Sequence, residues 1–305
     1  MTLEQLRIFV AVAERQHVTQ AARALNLAQS AASAAIAALE AQHGTRLFHR
    51  VGRGIELTEA GRVFLPEARS VLARAEAAEL ALAELAGLQR GRLRVEASQT
   101  IASHWLPHHL VAFRRRYPGI EIRMAIGNTA QVAAAVIDGA VELGFVEGTV
   151  QDPRLLATPV ATDRLVMVVG AEHPWAQRRA ELVPEELACT DWVLREPGSG
   201  TRAAFEALLE RHGLALPSVQ VAMELPSNEA VCAAVEAGGG ATVISASVAA
   251  AGLEAGLLHL VPFAVPERAY QVLRHRDRRQ SNAAVALLAI VAGVSRRPAA
   301  ESAPG

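Results

Sequence analysis

Apolar and polar positions follow two rhythms along this chain, helical over the first ninety residues and alternating strand–helix thereafter. Leu6, Phe9, Val10 and Ala13 share one face of a helix predicted over 3–15. A second short helix over 18–25 and a third over 29–42 are separated only by Asn26-Leu27-Ala28. On the third, Ala32, Ile36 and Leu39 point inward, whereas Ser30, Ser33, Ala34 and Ala37 share the opposite face. Two short helices joined so tightly are either an antiparallel pair in a bundle or a helix-turn-helix. The outward stripe of serine and alanine suits a helix that approaches base edges closely, with methyls for thymine and hydroxyls for bases or phosphates.

Residues 46–58 read as two short strands around Gly52-Arg53-Gly54, a wing. Thr58 can cap a helix reaching to about residue 88, about 45 Å long at 1.5 Å per residue. Along it Phe64, Ala68, Val71, Ala75, Ala78, Leu82 and Leu85 form a heptad seam that predicts pairing with a second copy. From residue 91 strands are expected over 91–97, 120–126 and 141–146, with helices over 100–117 and 129–139. A second series follows: strands over 165–169, 192–194, 219–224 and 241–245, helices over 202–212 and 228–237, a return strand over 270–275 and a last helix over 281–294. Strand alternating with helix predicts an α/β unit with parallel sheets covered on both faces. The expected organisation is 1–58 for the DNA-binding head, 59–90 for the linker helix, 91–295 for the carboxy-terminal domain and 296–305 for a flexible tail.

Charge sharpens the reading of the head. The chain carries a net charge of −1, yet between His17 and Arg53 four arginines (Arg23, Arg46, Arg50 and Arg53) face one acid, Glu40. A local positive face on a nearly neutral protein is the footprint of phosphate contact. Arg53 at the loop tip is placed for a minor groove or is simply a solvated turn residue. All 30 basic residues are arginine, a compositional bias. Cys189 and Cys232 are far apart without metal-ligand spacing and are expected as buried reduced thiols. No signal-like segment opens the chain, and the longest apolar stretch, 283–294, falls short of the roughly 20 residues a bilayer span needs, so a cytoplasmic protein without membrane contact is expected.

In open α/β sheets ligands sit beyond the carboxyl ends of strands, against helix N-termini. Ser98-Gln99-Thr100, Gly127-Asn128-Thr129, the run from Pro197 through Gly198, Ser199, Gly200 and Thr201 to Arg202, and Pro226-Ser227-Asn228 all occupy such positions. Ser, Thr and Asn are also preferred N-caps. Capping is the favoured role for Ser227 and Asn228, and ligand contact for Ser98, Thr100, Ser199 and Thr201. Arg202 either meets a ligand or pairs with Glu206 one turn on. Glu147, at a strand end, would repel a fully ionised anion yet accept the proton-bearing group of a partly protonated one, or it offsets an arginine such as Arg202. No nucleophile elbow, Walker loop or metal-ligand cluster is present, and His104 and His108 lack a carboxylate at a matching position, so neither catalysis, a metal nor a cofactor is expected.

Residues 1–62, through Leu3-Glu4-Gln5-Leu6-Arg7-Ile8-Phe9, Ala21-Ala22, Gln29-Ser30-Ala31-Ala32-Ser33, Leu39-Glu40, Leu47-Phe48-His49-Arg50 and Leu57-Thr58-Glu59-Ala60-Gly61, resemble the DNA-binding head of LysR-type transcriptional regulators. The resemblance implies a winged helix-turn-helix reading a promoter inverted repeat through Thr19, Gln29, Ser30, Ser33, Ala34, Arg50 and Arg53. Many relatives carry a large polar residue after the helix serine where this chain has Ala34-Ala35, which shifts selectivity toward DNA shape. The resemblance further implies a homodimer or homotetramer and a two-lobed, periplasmic-binding-protein-like effector domain. Its lobe I is expected over about 91–160 and 265–295, and lobe II over about 161–264.

Gly127-Asn128-Thr129, Val146-Glu147-Gly148, the run 194–202 and Ser227-Asn228-Glu229-Ala230 are similar to a LysR subgroup that includes regulators of sulfur-compound metabolism and of Calvin-cycle carbon fixation. That similarity implies a small oxyanion or a phosphorylated metabolite as effector. Hydroxyls outnumber cations in the predicted cleft, which favours sulfite or sulfate. Ser98, Gln99, Thr100, Thr129, Glu147, Gly198, Ser199, Gly200, Thr201 and Arg202 are the expected ligand contacts. A solute-binding protein without a DNA role is the alternative, opposed by the first sixty residues.

Overall fold

The computed structural model describes residues 1–51, 54–84 and 91–295, in two compact units. In the head, α1 (Leu3–Arg15), α2 (Val18–Ala24) and α3 (Gln29–His43) precede the antiparallel hairpin β1 (Phe48–Val51) and β2 (Gly54–Leu57), then α4 (Glu59–Glu84). Thr2 and Gln5 form a reciprocal capping box that starts α1. Asn26, with φ 56°, makes the left-handed turn between α2 and α3. The inward face read from sequence is the core: Ala32, Ile36 and Leu39 are buried with Leu6, Phe9 and Val12.

The wing is tied down by two side chains. Glu40 accepts hydrogen bonds from the backbone of Leu47 (2.7 Å) and Phe48 (3.1 Å). Thr58 donates to Arg46 O (2.7 Å) while capping α4 through Gly61 N (3.0 Å). A Cβ on Gly61 would stand 2.2 Å from Leu47 O, so only glycine fits that turn of α4. The predicted seam divides. Phe64 packs on the head's own core and Ala68 is buried within it, whereas Val71 is 41% exposed. Its first two positions therefore serve the chain's own fold. Leu85, Arg53 and the tail over 296–305 lie outside the described residues.

The second unit begins with β3 (Gly91–Ser98), α5 (Gln99–His104), α6 (Leu106–Arg116), β4 (Ile120–Gly127), α7 (Thr129–Asp138) and β5 (Leu143–Glu147). It crosses through β6 (Leu155–Asp163) to β7 (Leu165–Gly170), β8 (Asp191–Arg195), α8 (Gly200–Arg211), β9 (Gln220–Leu225), α9 (Asn228–Glu236), β10 (Ala241–Ser245), α10 (Ala246–Glu254) and β11 (Leu258–Leu260). The chain returns through β12 (Arg268–His275) to α11 (Asn282–Ser295). Lobe I carries the sheet β4-β3-β5-β12-β6 and lobe II the sheet β11-β7-β10-β8-β9. Each has its own core, around Phe113, Phe145 and Leu287 in lobe I and around Trp192, Phe205 and Leu209 in lobe II.

Three expectations are corrected. The sheets are mixed: β12 runs antiparallel to β5 and β6, and β7 antiparallel to β10 and β11. The reason is the crossing itself, since β7 and β12 enter their sheets from the end where the parallel strands stop. The helix expected over 100–117 is two helices broken at Trp105, because Pro107 has no N–H for the preceding turn and crowds its carbonyl. Cys189 is exposed, at the end of a 3-10 turn over Pro184–Cys189, while Cys232 is half-buried. Among the described residues, no helix is long and apolar enough to cross a membrane.

Candidate DNA-reading face and effector cleft

On α3, Gln29, Ser30, Ala34 and Ala37 are exposed and Ser33 half-buried, opposite the buried Ala32, Ile36 and Leu39. Gln29 Nε2 donates to Ser33 Oγ at 3.4 Å, so these two polar groups orient each other. Thr19 is half-buried on α2, and Arg50 is exposed on β1. A face of short side chains flanked by a cation is compatible with close approach to a groove.

In the second unit, the carboxyl ends of β3, β4 and β5 (Ser98, Gly127, Glu147) belong to lobe I, and those of β8, β9 and β10 (Arg195, Leu225, Ser245) to lobe II. Between them run two sets of hydrogen bonds. On one side Asn228 Nδ2 donates to Thr100 Oγ1 (3.0 Å), Asn228 N to Gln99 Oε1 (2.8 Å) and Arg195 Nη1 to Gln99 Oε1 (3.0 Å). Arg195 Nη1 also donates to Asn228 Oδ1 (2.7 Å). On the other side Asn128 Nδ2 donates to Glu196 Oε1 (3.2 Å) and Ala130 N to Gly198 O (3.2 Å). Burial pushes the Glu196 carboxyl up, but hydrogen bonds from Arg195 and Asn128 outweigh it and hold the group below the usual carboxylate range.

Several expected ligand contacts are thereby engaged with protein. Thr100 and Gln99 bond across the lobes, and Ser199 caps α8 through Thr201 N (3.2 Å). Thr129 Oγ1 lies 3.4 Å from Glu147 O. Arg202 pairs with Glu206 (2.8 Å) and with Glu224, so its charge is answered within lobe II. Asn228 is more than a cap: Ser227 caps α9 through Ala230 N, while Asn228 is buried between the lobes. Thr129, Glu147, Gly198, Ser199, Gly200 and Arg202 line a groove of about 370 Å³.

Against Glu147 and Thr201 lies a buried pair that the sequence pattern does not announce. Arg268, at the start of β12, faces Asp163, at the end of β6, in strand register. Its Nε donates to Asp163 Oδ2 (2.8 Å) and its Nη1 to Thr201 Oγ1 (3.3 Å). Ser245 Oγ from lobe II donates to Asp163 Oδ1 (2.7 Å). Glu147 is thus beside Arg268, at 3.8 Å, and not paired with Arg202. Burial and the Asp163 carboxylate hold the Tyr270 hydroxyl protonated, far above the usual phenol range. The available signals were an arginine ending the apolar run Trp192-Val193-Leu194 and opposite charges at the two expected crossings.

A winged helix-turn-helix and a two-lobed domain with a polar cleft define a DNA-binding, ligand-responsive regulator. The sequence agrees: residues 3–62 match the bacterial regulatory helix-turn-helix protein, lysR family, and residues 86–296 match the LysR substrate binding domain. The chain belongs to the LysR family of transcriptional regulators. It is 37% identical to the uncharacterized HTH-type transcriptional regulator YeiE of Escherichia coli (strain K12), covering 93% of this chain and 94% of the relative. It is 34% identical to a probable RuBisCO transcriptional regulator of Cyanidioschyzon merolae, covering 93% and 95%. The CcmR regulatory domain of Synechocystis PCC6803, solved in complex with 2-PG, aligns at a TM-score of 0.62 and 26% identity, over 68% of this chain and 98% of that one.

Proposed function

We propose that this LysR-family regulator reads a promoter inverted repeat as a homodimer or larger assembly and responds to a small oxyanion, sulfite or sulfate, held between its lobes. Thr19, Gln29, Ser30, Ser33, Ala34, Arg50 and Arg53 make the DNA contacts, and the seam from Val71 onward pairs two copies. One observation carries the effector reading. Each arginine at the cleft is already answered by a carboxylate, Arg195 by Glu196, Arg202 by Glu206 and Glu224, and Arg268 by Asp163. A highly charged ligand would find no unpaired cation there and would face Glu147 as well. Hydroxyls and helix N-termini suit a small ligand of low charge.

A second reading, a phosphorylated metabolite, is favoured by the 2-PG complex of the CcmR domain and by the probable RuBisCO regulators among the relatives. Scanning fluorimetry against sulfite, sulfate, thiosulfate, phosphate and phosphorylated sugars separates the two. An inorganic oxyanion should raise the melting temperature most under the first reading and a phosphoester under the second. Ligand control requires that one lobe arrangement bind the effector better than another, with coupling to DNA of about 1–3 kcal/mol.

A further inference from the structure

Gln99 opens α5 in lobe I, and the three hydrogen bonds of its side chain all end on lobe II. Its Oε1 accepts from Arg195 Nη1 (3.0 Å) and from Asn228 N (2.8 Å), and its Nε2 donates to Glu229 Oε2. Asn228 is the first residue of α9, so its N–H finds no carbonyl inside its own helix. Arg195 is 5% exposed and gives its Nε and Nη2 to Glu196, which leaves Nη1 for Gln99 and for Asn228 Oδ1. Lobe II thus aims two donors at one oxygen and sets a carboxylate beside them. That pattern is the complement of a primary amide, which offers an acceptor oxygen and a donor N–H on one carbon. An oxyanion in the same place would satisfy the donors and be repelled by Glu229.

The opposite flank is held differently. Asn128 Nδ2 meets Glu196 Oε1 and Ala130 N meets Gly198 O, each at 3.2 Å. Asn128 and Glu196 are half-buried and Ala130 is exposed. The Gln99 flank carries bonds to two charged groups, and the Asn228–Thr100 bond beside them is buried. Bonds to charged groups are the stronger ones, and burial keeps water from replacing them. Each flank contains its own reporter. Like Asn228, Ala130 lies in the first turn of its helix, so its N–H is protected by the bond it makes across the cleft and not by its own helix.

We propose that Gln99 is a positioning residue, its carboxamide acting as a built-in plug that keeps this flank of the cleft closed whether or not an effector is bound. Movement linked to the effector then falls on the Asn128–Glu196 flank, beside the groove lined by Thr129, Gly198 and Ser199. The second statement rests on the reading above of a small oxyanion held between the lobes; the first does not.

Hydrogen–deuterium exchange of the full chain, resolved to single amides, tests both. Without added ligand the Asn228 amide, relative to its intrinsic rate, should exchange about tenfold or more slowly than the Ala130 amide. Gln99→Met keeps the bulk of the side chain and removes its bonds. It should speed exchange at Asn228 by about tenfold and leave Ala130 unchanged. Saturating sulfite or sulfate should slow Ala130 and leave Asn228 as it was. Equal protection of the two amides in the unaltered protein, or an Asn228 amide still protected in folded Gln99→Met, overturns the plug. Either anion slowing Asn228 as much as Ala130 overturns the division between the flanks. Loss of sulfite binding in Gln99→Met with Asn228 still protected would make Gln99 a ligand contact and overturn its positioning role. If neither anion changes any amide, the oxyanion reading fails, and the unaltered and Gln99→Met chains still decide the plug.

Discussion

Asn228 Nδ2 donates a 3.0 Å hydrogen bond to Thr100 Oγ1, joining the first turn of α9 in lobe II to the first turn of α5 in lobe I. The same side chain accepts from Arg195, so one buried amide serves both lobes and a buried cation. Asn228→Ala would strip Arg195 of its 2.7 Å partner and leave Thr100 unanswered. A loss of about 1–3 kcal/mol is expected, read as a fall in melting temperature of several degrees. Ser227→Ala, which removes only a cap, should cost about 1 kcal/mol. Equal effects of the two substitutions would show that the cross-lobe bond contributes nothing.

Gly200 presents a steric test. A Cβ there would lie 2.8 Å from both Glu147 O and Thr129 Oγ1, and 3.1 Å from Glu147 Cβ. The lobes would have to part for one methyl group. Gly200→Ala should abolish ligand-induced thermal stabilisation while DNA affinity without ligand is kept. A normal ligand shift in this variant would mean that the lobes need not approach so closely.

Ser33 sits on the outward face of α3, and Gln29 reaches it. Ser33→Arg places a long cation where the helix needs to be thin, and should reduce operator affinity by at least an order of magnitude, about 1.4 kcal/mol or more. Size-exclusion behaviour should not change. Gel-shift titration on a promoter fragment decides, and undiminished binding would remove this face from the interface.

Acid should loosen the Asn128–Glu196 side of the cleft. The folded Glu196 carboxyl is held below its unfolded value, so its contribution is fully present above about pH 4.3 and fades as pH falls through the lower, folded value. Glu196→Gln should flatten that part of the stability–pH curve. An identical acid limb in both proteins would count against the linkage.

The two thiols should react unequally. Cys189 is exposed, whereas burial, with Glu236 and Glu229 nearby, pushes the Cys232 thiol up to about 11. Brief alkylation at neutral pH should therefore add a single group, at Cys189, and Cys189→Ser should remove it. Mass spectrometry that finds Cys232 modified first would contradict the burial of that thiol.

The head was legible because its signals are local. The face of Ala32, Ile36 and Leu39, the turn at Asn26 and the Thr58 cap each depend on residues within one or two turns. The cleft was legible in part, since strand ends and helix starts mark its rim. Its buried charges were not, because Arg268 meets Asp163 across 105 positions and Arg195 meets Asn228 across 33. Periodicity carries no information at such separations. The parallel sheets expected from alternation failed for the same reason: strand direction is set by where the chain returns from, which neighbouring residues do not encode.

The Arg268–Asp163 pair marks the place where the polypeptide threads twice from one lobe to the other, on adjacent strands about 4.8 Å apart. Two covalent tethers paired as neighbouring strands resist sliding of one lobe past the other and leave bending at the crossing as the easier motion. Under the proposed function, a molecule held between the lobes would be reported onward chiefly as a larger or smaller opening angle. Such a readout would grade a promoter's response, and different chemicals that fill the same space would differ in strength of signal but not in its kind.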